Sequence, residues 1–185
     1  MILALALAQV RKGGWFGKIV KGKKVGTSNV GPVGGHGGRT AGDATNVVTD
    51  YVRVEGESRS QDMAFVKDIT AAYKTAFTEA AEAVTNSEGK AGKVKFTSAV
   101  SYHPFEIDET EPVVRRAVAA VTAIGLTPNV RLATGGLDAN WLVRHGIPTV
   151  TFGAGQNEPH TVDEWIDIES FQGACKLALE LATGR

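Results

Sequence analysis

Ser60-Gln61-Asp62-Met63-Ala64-Phe65-Val66-Lys67-Asp68-Ile69-Thr70-Ala71-Ala72-Tyr73-Lys74-Thr75-Ala76-Phe77 is the stretch on which the reading of the fold turns. Phe65, Ile69, Ala72, Tyr73, Ala76, Phe77, Ala80 and Val84 recur at helical steps, so one face of a long helix is apolar and needs a sheet or helix to cover it. Ser60 is the expected N-cap, with Asp62 favourably placed in the first turn. On its N-terminal side, Val48, Val52 and Val54 alternate with Tyr51, Arg53 and Glu55, which predicts a strand over Val47 to Glu55. On its C-terminal side, beyond a turn at Asn86 to Gly92, Val94, Phe96, Ser98, Val100 and Tyr102 alternate in the same way.

The segments before this region extend the pattern. Leu3, Leu5, Leu7 and Val10 lie in an alanine-rich run that should be helical and should stop at Gly13-Gly14. Trp15 to Lys24 is basic and punctuated by glycine, and reads as a loop. A strand around Val25 to Val30 follows. The first hundred or so residues therefore read α-β-β-α-β, a small sheet with helices on one face.

The pattern changes near Phe105 to Glu111. An acidic run, Asp108-Glu109-Thr110-Glu111, leads into a helix with Pro112 near its first turn and an apolar stripe of Val114, Ala117, Val118, Val121 and Ile124. A strand at Val130 to Ala133, a Gly135-Gly136 loop and a helix around Ala139 to Arg144 come next. A strand at Ile147 to Phe152 and a helix from about Asp167 to Thr183 complete an α-β-α-β-α order. These last strands are continuously apolar, as in a sheet covered on both faces. The fold class is thus α+β followed by α/β, with domains at 1–108 and 109–185.

Composition narrows the function. Among 185 residues there are 20 basic and 20 acidic side chains, so no cationic excess points to nucleic acid or an anionic membrane. The apolar run Ile2 to Val10 is too short to span a membrane, and no basic residue precedes it as in a signal peptide. It reads as a buried helix whose beginning is missing. A lone cysteine, Cys175, forbids an internal disulfide and suits a reducing, cytoplasmic compartment. Its apolar helical setting predicts a buried thiol.

His160 is the strongest single candidate for metal chemistry, because neutral imidazole suits zinc and Thr161, Asp163 and Glu164 lie close enough in sequence to orient it. An ordinary loop histidine is the competing reading. His36, His103 and His145 have no ligand-spaced partners. Gly17-Lys18-Ile19-Val20-Lys21-Gly22-Lys23 matches the start of a phosphate-binding loop. Lys24 stands where that motif needs serine or threonine, so a solvated basic segment is expected.

Several stretches, in order, resemble the M20 metallopeptidases, the peptidase T-like aminopeptidases in particular. They are Asp43-Ala44-Thr45-Asn46-Val47-Val48, Val54-Glu55-Gly56-Glu57-Ser58-Arg59-Ser60, Gly135 to Asn140, Gly146-Ile147-Pro148-Thr149-Val150, and His160-Thr161 with Glu164. The resemblance implies a ferredoxin-like lid, or dimerisation, domain followed by the end of a catalytic α/β domain carrying two zinc ions. It implies that His160 is a metal ligand and that Asn46 and Arg59 contact a short peptide, Arg59 through the substrate carboxylate. Gly135 and Gly136 would line the substrate through backbone. It also implies a homodimer formed through the lid. The family's His-x-Asp motif and Glu-Glu pair, which includes the general base, would lie upstream of these residues. No catalytic residue is therefore expected in this chain, which should be inactive alone. Leu137 stands where the family usually has serine or threonine. The alternatives are a non-catalytic dimerisation or binding module, or one chain of a split enzyme.

Overall fold

A computed structural model of the chain describes residues 1–42, 44–133 and 135–184. The chain divides into two compact units, Met1–Pro104 and Phe105–Arg185.

The first unit begins with helix α1 (Ile2–Lys12), which ends where Gly13 caps it and Gly14 takes a positive φ of 70°. A hairpin then forms from β1 (Gly17–Lys21) and β2 (Lys24–Gly34), with Lys21 paired to Lys24 across a two-residue turn. Gly22, at φ 62°, occupies the first turn position, where such tight hairpins favour glycine. The segment expected to be a basic loop is therefore a strand and a turn. No helix follows it, which removes the phosphate-loop geometry. β3 (Arg53–Ser60) pairs antiparallel to β2, giving the order β1-β2-β3, and α2 (Met63–Ala83) follows.

Two expectations shift here. The strand predicted over Val47 to Glu55 starts only at Arg53, because β2 runs out at Gly34, which pairs with Arg53. Among the described residues, 44–52 join no ladder, and Val48 is 92% exposed. The ring of Tyr51 instead stacks on His36, 4.0 Å between centroids. The α2 cap is Asp62, whose Oδ1 accepts from the Ala64 amide at 2.8 Å. Ser60 is still in the ladder, paired with Gly26, and its hydroxyl donates to the Val25 carbonyl.

The core of this unit lies between α2 and the sheet. Phe65, Ile69, Tyr73 and Ala76 of α2 pack with Val10 and Ile19, and Trp15, Phe77 and Phe96 close the sides. Gly26 permits this approach. A Cβ there would lie 2.6 Å from the Arg59 carbonyl oxygen and 3.0 Å from Ile69 Cδ1. Lys93–Tyr102, predicted as a strand, joins no ladder among the described residues, although Phe96 packs on the core. The observed order is thus α-β-β-β-α.

One polar pair sits inside this core. Tyr73 Oη lies 2.9 Å from Ser28 Oγ, and the Ser28 hydroxyl is 2.5 Å from the Trp15 carbonyl. Burial pushes the Tyr73 hydroxyl up from its ordinary pKa, with the Ser28 bond acting in the opposite direction. Tyr73→Phe should cost about 1 kcal/mol, since a neutral buried hydrogen bond is worth roughly that much. Urea unfolding followed by circular dichroism checks this, and an unchanged midpoint would contradict it.

The second unit contains α3 (Pro112–Ala123), α4 (Asp138–Arg144), a short ladder of β4 (Gln156–Asn157) with β5 (Trp165–Ile166), and α5 (Ile168–Thr183). Helices α3 and α5 pack on each other, burying Val114, Ala120 and Leu177. The predicted strands Val130 to Ala133 and Ile147 to Phe152 join no ladder among the described residues. Cys175 is exposed rather than buried, because α5 buries only the side that carries Leu177.

Asp167 caps α5, accepting from the Ser170 amide at 2.7 Å. The bonds from Ser170 hold its carboxyl below the usual carboxylate range. A depressed acid stabilises the fold above its unfolded pKa and loses that contribution as pH falls through its folded pKa. Hydrogen-exchange protection at the first turn of α5, taken relative to the intrinsic exchange rate at each pH, should therefore fall on acidification below about pH 4. Asp167→Asn should remove that dependence, and an acid response surviving in the variant would contradict this assignment.

Candidate functional site

Asn46 and Arg59 belong to the first unit, Gly135, Gly136 and His160 to the second. Asn46 lies exposed in the turn before β3, one residue beyond the Ala44–Thr45 step. Asp43, the first residue of that motif, is outside the described residues.

Arg59 is set by the period of β3. Arg53, Glu55, Glu57 and Arg59 fall on the exposed face, while Val54, Ser58 and Ser60 turn toward α2. On that outer face Arg59 Nη2 donates to Glu57 Oε2 at 2.7 Å, with the Arg59 side chain 49% exposed. A half-exposed ion pair of this kind is worth about 0–1 kcal/mol. The pair therefore holds the guanidinium only weakly and leaves it able to exchange partners.

Gly135 has no backbone demand for glycine. Its φ is not positive, and a Cβ built on it would meet nothing within 4 Å. Gly136 is likewise exposed. The space above Gly135 is open, which is the condition for a ligand to approach backbone closely. Beside it, Asn140 is a residue that pattern reading passed over. It is buried, and its Oδ1 accepts from the Leu137 amide at 2.8 Å, tying the glycine loop to the start of α4. A buried polar side chain at the mouth of a helix was readable from Leu137-Asp138-Ala139-Asn140 only as a helix start.

His160 sits in a strained loop. Glu158 has φ 48° and His160 φ 67°, both in the left-handed region that non-glycine residues seldom occupy. The strain is held by local bonds. Glu164 Oε2 accepts from the His160 amide at 2.9 Å, the Thr161 hydroxyl donates to the Glu158 carbonyl, and the Asp163 amide donates to Thr161 Oγ1. Thr161, Asp163 and Glu164 therefore shape the backbone of the loop rather than gripping the imidazole as expected. Such strain persists where the surroundings over-determine it, commonly at functional positions.

Among the described residues no group of three or more His, Cys, Asp or Glu side chains could hold a metal ion. His160 can supply one ligand, and a complete zinc site does not fit the residues described. Among the described residues no helix is long and apolar enough to cross a membrane.

The family model for peptidase family M20/M25/M40 matches residues 11–184. Among solved structures, the chain is similar to the aminopeptidase PepT of Bacillus cereus ATCC 10987, with 31% identity, a TM-score of 0.65, and coverage of 97% of this chain and 43% of that one. It is also similar to a tripeptidase of Staphylococcus aureus Mu50, with 31% identity, a TM-score of 0.72 and the same coverages of 97% and 43%. The uncharacterized protein YqjE of Bacillus subtilis (strain 168) is 30% identical over 155 residues, which is 84% of this chain and 38% of that protein. The chain thus spans less than half the length of each of these relatives. By its sequence and its mixed α/β fold, the chain belongs to peptidase family M20/M25/M40.

Proposed function

We propose that the chain is part of a zinc-dependent peptidase that hydrolyses short peptides in the manner of a tripeptide aminopeptidase, and that it is inactive by itself. The observation that supports this most is the match of nearly the whole chain to two enzymes named for aminopeptidase and tripeptidase activity. Residues 1–108 would be the lid, through which two copies pair, and residues 109–185 the end of the catalytic domain. The enzyme would work in the cytoplasm.

Each candidate residue has a task within this reading. The guanidinium of Arg59 presents a planar fork of donors to the peptide carboxylate once Glu57 gives way. Asn46 offers an amide to the peptide. Gly135 and Gly136 let the substrate lie against backbone. His160 would give one zinc ligand, the rest of the site coming from outside the described residues. The family resemblance puts the remaining ligands and the general base outside these residues, so no bond-breaking step is assigned to this chain alone.

The test is a completed enzyme, with the chain fused to the part of the S. aureus tripeptidase that it does not cover. A free tripeptide should be cleaved, and its C-terminal amide should be a poorer substrate through KM. Arg59→Lys should raise KM for the free tripeptide about 10- to 100-fold, since lysine cannot make a two-pronged contact. It should erase the difference between acid and amide. Equal KM values for acid and amide in the parent enzyme would refute the role of Arg59. The absence of tripeptide cleavage would favour the non-catalytic binding module.

A further inference from the structure

The exposed face of the first unit's sheet carries more than Arg59. Its register pairs Lys18 with Thr27 and Thr27 with Arg59, so the three residues form one row across β1, β2 and β3. Burial fixes the direction of their side chains. Ile19 packs with Phe65 and Ile69 of α2, and the Ser28 hydroxyl meets Tyr73 of the same helix. Alternation along each strand then sends Lys18 and Thr27 outward, beside Arg59. Both are exposed.

Lys18 differs from the other strand lysines of the hairpin. Lys21 Nζ donates to the Gly13 carbonyl at 3.0 Å and lies over the Trp15 ring, and Lys24 Nζ is 3.2 Å from Asp68 Oδ2. Among the described residues Lys18 has no ion pair and no side-chain hydrogen bond. Glu57 reaches Arg59 from two residues away on the same strand, and no acid reaches Lys18. Two cations in one cross-strand row gain nothing from each other. They stand two strand spacings apart, about 9.5 Å, with only the short Thr27 side chain between them. Val20 and Val25 border the row, paired with each other and 57% and 54% exposed. An apolar floor beside two cations suits a ligand with a methylene stem as well as negative charge.

We propose that Lys18, across Thr27 from Arg59, is a specificity-determining residue that selects peptides whose C-terminal residue is glutamate or aspartate. Arg59 takes the α-carboxylate, and the Lys18 ammonium takes the side-chain carboxylate. The stem of that side chain lies over Thr27 and Val25. The two cations suit these two tasks differently. The planar fork of arginine fixes one carboxylate in orientation, whereas lysine is a compact charge on a flexible stem that follows an acid of either length. A peptide with a neutral C-terminal residue keeps only the Arg59 contact. The choice of a peptide ligand rests on the proposed role of Arg59, whereas the facing cations rest on the register of this sheet alone.

The test reads equilibrium binding to the 185-residue chain, without metal or turnover. The tripeptides Ala-Ala-Glu and Ala-Ala-Gln, and the C-terminal amide of the latter, are titrated into isotope-labelled protein. Nuclear magnetic resonance follows the Arg59 side chain and the backbone amides of β1. Ala-Ala-Glu should bind about 3- to 5-fold more tightly than Ala-Ala-Gln, the effect of one half-exposed charge pair. Lys18→Met should abolish that difference and Lys18→Glu should reverse it, with the amide spectrum of α2 unchanged. Lys23→Met, which removes the same charge from the hairpin turn, should leave the difference intact. Equal binding of the two acids by the parent, or no saturable shift with any peptide, would overturn the proposal. So would a preference that survives in Lys18→Met or disappears in Lys23→Met. A glutamate preference lost in Lys18→Met, together with equal binding of Ala-Ala-Gln and its amide, would refute the role of Arg59 and leave Lys18 as the acid-binding residue. A completed enzyme that cleaves no tripeptide would overturn the proposed function without changing this ratio.

Discussion

Replacing His160 by alanine in the completed enzyme should lower kcat/KM for a tripeptide on the order of 1,000-fold, equivalent to about 4 kcal/mol in the barrier. The purified variant should also carry about one zinc fewer per chain, since a site missing a ligand holds its metal weakly. His160 lies at φ 67°, and alanine tolerates that region poorly, so loss of activity alone would not separate the ring from the loop. His160→Asn separates them. Asparagine enters the left-handed region readily and keeps the amide bonded to Glu164, but it lacks the imidazole. Equal losses in both variants assign the effect to the ring. A variant with asparagine that retains both activity and metal would mean that the loop, not the ligand, matters. Zinc content by atomic emission and initial rates by chromatography provide the two readouts.

Phe65→Ala should be the most damaging change to the fold. Phe65 is 1% exposed and lies at the centre of the cluster formed with Val10, Ile19 and Ile69, with the Trp15 ring 6.1 Å away. Truncating a buried phenylalanine costs about 3–5 kcal/mol, part of it for the cavity left behind. That is a large share of the roughly 5–15 kcal/mol that holds a domain together. Urea unfolding by circular dichroism should show an early loss of the first unit. Hydrogen exchange in α3 and α5, which belong to the other unit, should be unaffected. A loss under about 1 kcal/mol would mean that α2 is not held to the sheet through this residue.

The contrast between the two units explains what pattern reading could and could not recover. Helices were legible wherever a face is buried within the same unit. The periodicity of Phe65, Ile69, Tyr73 and Ala76 and the proline at the head of α3 both appear where expected. Strands were less legible because a strand needs a partner, and partnering is not local. Val47 to Val52 alternates well but has no ladder, since β2 ends opposite Arg53. Gly17–Lys21 alternates poorly, as a loop would, yet it pairs because Gly22 closes a tight turn onto Lys24. The exposed thiol of Cys175 has the same origin, in that an apolar helical pattern predicts burial only where something covers that face.

The candidate site divides along similar lines. Arg59 and His160 stand out only through family resemblance, and the structure adds what their surroundings do. Glu57 holds the guanidinium of Arg59 across the exposed face of β3, and Glu164 holds the main chain of His160. Neither role has a sequence signal, because an acidic residue two or four positions away is ordinary on any surface. Asn140 was hidden for the opposite reason. Its burial depends on the fold of α4, not on its neighbours in the chain.

Tripeptide hydrolysis in the presence of zinc, measured for the chain alone and for the completed enzyme side by side, tests the central claim most directly. The account predicts no turnover above background by the chain alone, and metal-dependent release of the N-terminal residue by the completed enzyme that is lost in His160→Asn. Zinc-dependent turnover by the chain alone, or a completed enzyme that binds its metal yet cleaves no tripeptide, would contradict it.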